Sequence, residues 1–164
     1  MGRAEGPSLR QTDARLSIED VLAGGGPWVS TTAGTSMWPM LRDRQDTIVV
    51  MPVEGGLRPL DIALYRRGNS YVLHRVIAVR DGGYRILGDN CLRVEDVEEG
   101  QVLGVLEQFW RGERRCDPHS PWWMTYARLW LALWPARCVL VTGRHLVGRV
   151  SRRLACLCGL RDGR

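Results

Sequence analysis

The sequence predicts a mainly β domain, a partly closed barrel or folded antiparallel sheet, with a helical extension at its C-terminal end. Three observations carry that prediction. Between Trp28 and Trp110, short apolar or alternating runs of strand length recur, most of them bounded by Gly, Asn or Asp. One boundary, Asp81-Gly82-Gly83, is the signal of a tight hairpin. After Asp117-Pro118 the character changes to Trp-, Leu- and Arg-rich segments without strand alternation.

The elements follow in order. Residues 1–28 are a polar leader holding one short helix, Ser17 to Ala23, with Ser17 as N-cap and Glu19 and Asp20 in its first turn. Gly24 to Gly26 and Pro27 stop it. The β domain spans 29–112. Val29 to Thr35 is rich in β-branched residues, and Thr47 to Val53 is a short apolar run suited to a buried strand. Asp61 to Arg66 and Tyr71 to Arg80 are strands joined by the Arg67-Gly68-Asn69 turn. Tyr84 to Leu87 follows the tight hairpin, Gly88-Asp89-Asn90 ends it, and Val102 to Trp110 is one more strand. Asp46 and Asp61, each heading a strand, read as turn residues. Residues 117–164 form a basic Trp- and Arg-rich tail, with helices over Trp122 to Trp134 and Cys138 to Leu157 and a break at Pro135.

Composition narrows the chemistry. The chain has 164 residues, 45% hydrophobic, enough for one domain with a real core. All its positive residues are arginine, so a lysine general base and a lysine Schiff base are both excluded. The net charge of +5 fits nucleic acid, an anionic membrane surface, an acidic partner or an arginine-rich codon bias. No nucleic-acid motif accompanies it, so a nucleic-acid partner is not favoured. Contact of the tail with an anionic membrane at the inner face is the other candidate partner. The five cysteines include no CxxC pair, and the three histidines are far apart, so neither a metal site nor a cofactor is expected. Reduced, structural cysteines, no apolar leader and no long apolar run give the expectation of a cytoplasmic chain.

One stretch stands out as chemistry. Gly34-Thr35-Ser36-Met37-Trp38-Pro39-Met40-Leu41 sets a serine in a turn after the small residues Thr32, Ala33 and Gly34. A serine hydroxyl needs a neighbour to remove its proton. With no lysine, the candidates are histidine, a carboxylate or the terminal amine. His119 lies in the linker and His145 in the tail. His74 lies mid-strand among Val72, Leu73, Val76 and Ile77. A histidine there is either a satisfied core residue or a placed functional group. Asp89 and Asp96 follow it, and a carboxylate near a histidine fixes its tautomer. Gly-Asp-Asn also reads simply as an Asx turn.

Gly-x-Ser-Met-x-Pro-x-Leu at 34–41, His-Arg-Val at 74–76 and Gly-Asp-Asn at 88–90, in that order, resemble the signal peptidase I and LexA-like serine peptidase superfamily. Leu57 to Tyr65 is similar to a further family strand. Histidine in place of the common lysine resembles the archaeal, sporulation-associated and endoplasmic-reticulum branch. The resemblance covers about residues 30 to 108 and implies a signal-peptidase-like fold. It implies Ser36 as nucleophile, His74 as general base and Asp96 as supporting acid, with Glu95 as the alternative. Asp89, Met37 and Pro39 would support the site. Substrate would add as a β-strand beside Ser30 to Thr35, touching Thr32, Ala33, Gly34 and Thr35.

The implied activity is a serine endopeptidase that cleaves a leader or signal-like segment from a specific precursor peptide, here without the family's membrane anchor. Gly34 and Thr35 depart from the family pattern. They favour the alternative, an inactive module that binds an extended peptide by strand addition.

Overall fold

The computed structural model describes residues 17–140. The leader expected over residues 1–16 lies outside the described residues. So do His145, Cys156, Cys158 and the expected tail helix beyond Leu140.

Helix α1 (Ile18–Ala23) begins as expected. The Ser17 hydroxyl accepts from the Asp20 N–H at 3.1 Å, and the Asp20 carboxylate accepts from the Ser17 N–H at 3.1 Å, a reciprocal cap. Ile18 and Leu22 are its buried residues.

Eight strands follow: β1 (Trp28–Thr31), β2 (Asp46–Met51), β3 (Ile62–Arg67), β4 (Ser70–Arg80), β5 (Gly83–Leu87), β6 (Glu95–Glu98), β7 (Val102–Arg111) and β8 (Arg114–Cys116). They form one antiparallel sheet in the order β1-β2-β7-β3-β4-β5-β6, with β8 paired to β7. The protein is therefore mainly β, with a folded antiparallel sheet and a C-terminal helical part.

Two strands escaped sequence reading. β6 is Glu-Asp-Val-Glu, too acidic to register as a strand, and β8 is only three residues long. β1 is shorter than expected, because the chain leaves the sheet after Thr31.

The sheet buries both faces at its centre. On β3, Ile62 and Leu64 join a core with Ile18, Leu22, Met37, Met40, Leu41, Leu106 and Phe109. Ala63 and Tyr65 join a second core with Val76, Tyr84, Ile86 and Val97. Strand alternation explains the split. Asp46, expected in a turn, is fully buried at the start of β2. Burial opposes its ionisation, but hydrogen bonds from Arg42 and Arg111 outweigh it and hold the carboxyl below its usual range.

Helix α2 (Pro121–Ala132) packs on the first core. The Trp123 ring meets Phe109 edge to face at 5.3 Å, and the Arg111 guanidinium lies over both rings. Trp122, Leu129 and Leu133 remain exposed. The helical break comes at Leu133, ahead of Pro135. Proline then sits in the first turn of the next helical stretch, where its missing N–H costs nothing. Among the described residues, no helix is long and apolar enough to cross a membrane.

Candidate active site

The serine turn is built by what surrounds it. Beyond β1, Thr32 is buried; its N–H donates to the Asp46 carbonyl and its own carbonyl accepts from the Arg44 N–H, both at 2.9 Å. Its hydroxyl donates to the carbonyls of Arg42 and Asp46. Gly34 takes φ +90°, a conformation that suits glycine and strains other residues. That is a physical reason for glycine at position 34. Its N–H donates to the Asp43 carboxylate at 2.7 Å.

The turn over residues 36–40 is then anchored by Met37, Met40 and Leu41, all buried. Pro39 follows a cis peptide bond within it. Ser36 itself is half-buried. Asn90 clips the turn from the far side: its N–H donates to the Ser36 carbonyl at 2.7 Å and its Nδ2 to the Thr35 carbonyl at 3.2 Å.

His74 on β4 is 3% exposed. Its two nitrogens have opposite surroundings. Nδ1 lies 3.1 Å from the Tyr65 hydroxyl and 3.9 Å from Glu95 Oε1. Tyr65 donates to Glu95 Oε2 at 2.9 Å, and Arg67 donates to Glu95 Oε1 at 2.8 Å. Nε2 has no hydrogen-bond partner among the described residues. Gly88 passes close to both Nε2 and the serine turn. A Cβ at Gly88 would stand 2.9 Å from His74 Nε2, 2.9 Å from the Ser36 carbonyl oxygen and 2.7 Å from Cys91 Sγ, so only glycine fits that approach. No hydrogen bond joins Ser36 and His74 among the described residues. Burial pushes the His74 pKa below its ordinary 6.5, opposed by the Glu95 charge. Burial also pushes the Cys91 thiol up.

Asp89 has a different role. It is 1% exposed and accepts from Arg75 Nε and Nη2, each at 2.8 Å. Tyr126 of α2 donates to Asp89 Oδ2 at 3.1 Å. The Asp89 carbonyl accepts from Trp130 Nε1 and Arg137 Nη2, both at 2.7 Å. Arg75 in turn donates to the Leu60 carbonyl and reaches Met40 Sδ under the serine turn. The expected organising role of Asp89 is therefore structural: it ties the Gly88–Asn90 turn to both Arg75 and α2.

A groove of about 770 Å³ runs past the site. It is lined by Ser36 and His74, by the apolar Met37, Ile48, Leu64 and Leu73, and by Thr32, Ala33 and Gly34. Thr35 is exposed outside it.

One expectation needs correction. Asp96 does not reach His74: it pairs with β5 opposite Arg85, its side chain is 80% exposed, and it lies 3.6 Å from the Arg85 guanidinium. Alternation on β6 turns Glu95 and Val97 inward and Asp96 outward. Glu95, the alternative, is the acid beside His74. Thr32 lines the groove, with its N–H directed to Asp46 and its carbonyl to Arg44, so an added strand would pair through the backbone groups of its neighbours.

Sequence reading missed Tyr65, Arg67, Asn90 and the α2 residues. One of them had a signal. The two-residue Gly68-Asn69 turn sets the β3–β4 register, pairing Ala63 with His74 and Tyr65 with Val72. Tyr65 is then the diagonal neighbour of His74, within reach of a long aromatic side chain. No protein-family model matches the chain, and comparison with the curated proteins gives no match.

Proposed function

We propose that the chain is a serine endopeptidase of the signal-peptidase-like kind, which removes a leader or signal-like segment from a specific precursor peptide. The observation that carries this reading is the buried Nε2 of His74, without a partner among the described residues, close to the Ser36 turn at a groove with apolar lining. A buried polar atom without a partner costs stability, and on a histidine beside a serine turn a catalytic role accounts for that cost.

The precursor lies extended in the groove and adds to the free edge of β1. Thr32 directs its backbone groups to Asp46 and Arg44, so alternation turns those of Thr31 and Ala33 toward the free edge. His74 Nε2 takes the Ser36 Oγ proton as Oγ attacks the scissile carbonyl. The Ser36 N–H, which donates to no group among the described residues, takes the oxyanion. The imidazolium returns its proton to the leaving amine, and water activated by the same Nε2 releases the acyl group.

A second reading, a module that binds an extended peptide without cutting it, is favoured by the missing Ser36–His74 hydrogen bond. A fluorophosphonate probe separates the two. Wild type labels, while Ser36→Ala and His74→Ala do not. Equal labelling of wild type and Ser36→Ala rejects the peptidase.

A further inference from the structure

The residue between His74 and its acid is a tyrosine, and its single proton decides the state of the imidazole. Glu95, as a carboxylate, can only accept hydrogen bonds. Tyr65 Oη lies 2.9 Å from Glu95 Oε2 and 3.1 Å from His74 Nδ1. If the phenol donated to His74, two acceptors, Tyr65 Oη and Glu95 Oε2, would face each other at 2.9 Å with no hydrogen between them. The phenol proton therefore points at Glu95. Tyr65 Oη must then accept from His74, which puts the imidazole proton on Nδ1. Nε2 is left as a bare lone pair, in keeping with its lack of any acceptor or donor.

We propose that Tyr65 is a positioning residue: it relays the Glu95 carboxylate to His74 Nδ1 and holds the imidazole in the tautomer whose Nε2 faces Ser36. This deepens the peptidase reading and rests on it for the role of Ser36; the tautomer assignment stands without it. The chain runs Ser36, His74, Tyr65, Glu95, where the expectation was a carboxylate touching the histidine directly.

The proton balance is simple. One proton passes from Ser36 Oγ to His74 Nε2, and none moves further. The imidazolium keeps its Nδ1–H on Tyr65 Oη, and Tyr65 keeps its own proton on Glu95. Burial, with the Glu95 hydrogen bond and charge, pushes the phenol pKa up, so Tyr65 stays a neutral phenol through the cycle. The supporting shell is also in place. Arg67 holds Glu95 Oε1, so the carboxylate presents its other oxygen to the phenol. Tyr65 is 1% exposed, with its ring fixed in the second core, so the hydroxyl has little freedom to turn elsewhere.

The charged and titratable groups facing His74 are Tyr65 and Arg67 from β3, Glu95 from β6, and Cys91 and Asp89 from the segment after β5. Glu95 raises the histidine pKa against burial, and Asp89 adds in the same direction, while Arg67 lowers it. Removing the Glu95 charge therefore makes His74 harder to protonate. The acid limb of any reaction using its free base then moves to lower pH.

The test reads the tautomer directly. In the full chain labelled with ¹⁵N, long-range ¹H–¹⁵N correlations of His74 show an Nδ1-protonated ring in wild type. Tyr65→Phe, which keeps the core volume, loses that preference and slows fluorophosphonate labelling of Ser36 by about tenfold or more. Glu95→Gln, at a partly exposed position and so safer for folding, keeps an acceptor for Tyr65 but removes the charge. Its labelling profile shifts to lower pH, whereas Asp96→Asn shifts nothing.

An Nε2-protonated ring in wild type overturns the proposal. So does a Tyr65→Phe protein that keeps both the tautomer and the labelling rate of wild type. If Ser36 never labels, the peptidase reading falls, and the wild-type spectrum still decides the relay.

Discussion

His74 and Arg75 are consecutive on β4, are almost equally buried, and point to opposite faces of the sheet. Each meets a carboxylate, and the two meetings differ. Arg75 and Asp89 form a bidentate pair with a further hydrogen bond from Tyr126. Glu95 is hydrogen-bonded to His74 only through Tyr65, its other oxygen lying 3.9 Å from Nδ1 and held by Arg67 at the rim. The Arg75–Asp89 pair is saturated and closed. The His74 network ends in Nε2, which has no hydrogen-bond partner among the described residues. A saturated network holds a shape, and an unfinished one is where a substrate can complete the bonding. The Gly88–Asn90 turn joins the two, because it carries Asp89 on one side and passes His74 Nε2 on the other.

The comparison can be broken by truncating each carboxylate. Asp89→Ala leaves the Arg75 charge buried without a partner, and urea denaturation should show a loss of about 3–5 kcal/mol. Glu95→Ala, at the more exposed network, should lose about 1 kcal/mol or less. Equal losses would mean that both faces are structural.

A smaller effect tests how α2 contributes to the closed face. Tyr126→Phe removes one donor from buried Asp89 and keeps the ring that stacks on Trp130. The expected cost is about 1 kcal/mol in the same denaturation assay. No change would mean that the ring alone matters to the packing of α2.

The smallest effect is the pH dependence of stability on the open face. The folded His74 pKa lies below its ordinary 6.5, with burial as the main cause. Above that value both folded and unfolded chains hold the ring neutral. As pH falls below it, the unfolded chain binds a proton that the folded chain resists, so stability declines toward the folded pKa. His74→Gln should flatten that decline. Thermal melts of both proteins from about pH 7.5 down to pH 5 would read it, and parallel curves would show that His74 is not desolvated.

Much of this molecule is legible in the chain. Serine in a small-residue turn, the absence of lysine and one histidine among apolar strand residues point to Ser36 and His74. The α1 cap and the β2, β3, β4, β5 and β7 strands were visible because they depend on local spacing and turn chemistry. The supporting acid was not. Glu95 and Asp96 are adjacent, and a one-residue change of register exchanges inward for outward. The acidic run around β6 carries no apolar pattern to set that register. Asp89 looked like an Asx turn because its partners, Arg75 and Tyr126, are brought in from β4 and α2.

What the sequence by itself determined is the mainly β class, the strands with a clear apolar pattern, the hairpin turns and the choice of serine and histidine as candidates, since periodicity and turn residues act over a few positions. Only the tertiary structure decided which acid serves His74 and through which residue. It also decided that α2 closes on Asp89 and that Gly88 is where the turn and the ring pass. Those choices depend on pairings between strands and on burial, which no short stretch of chain contains.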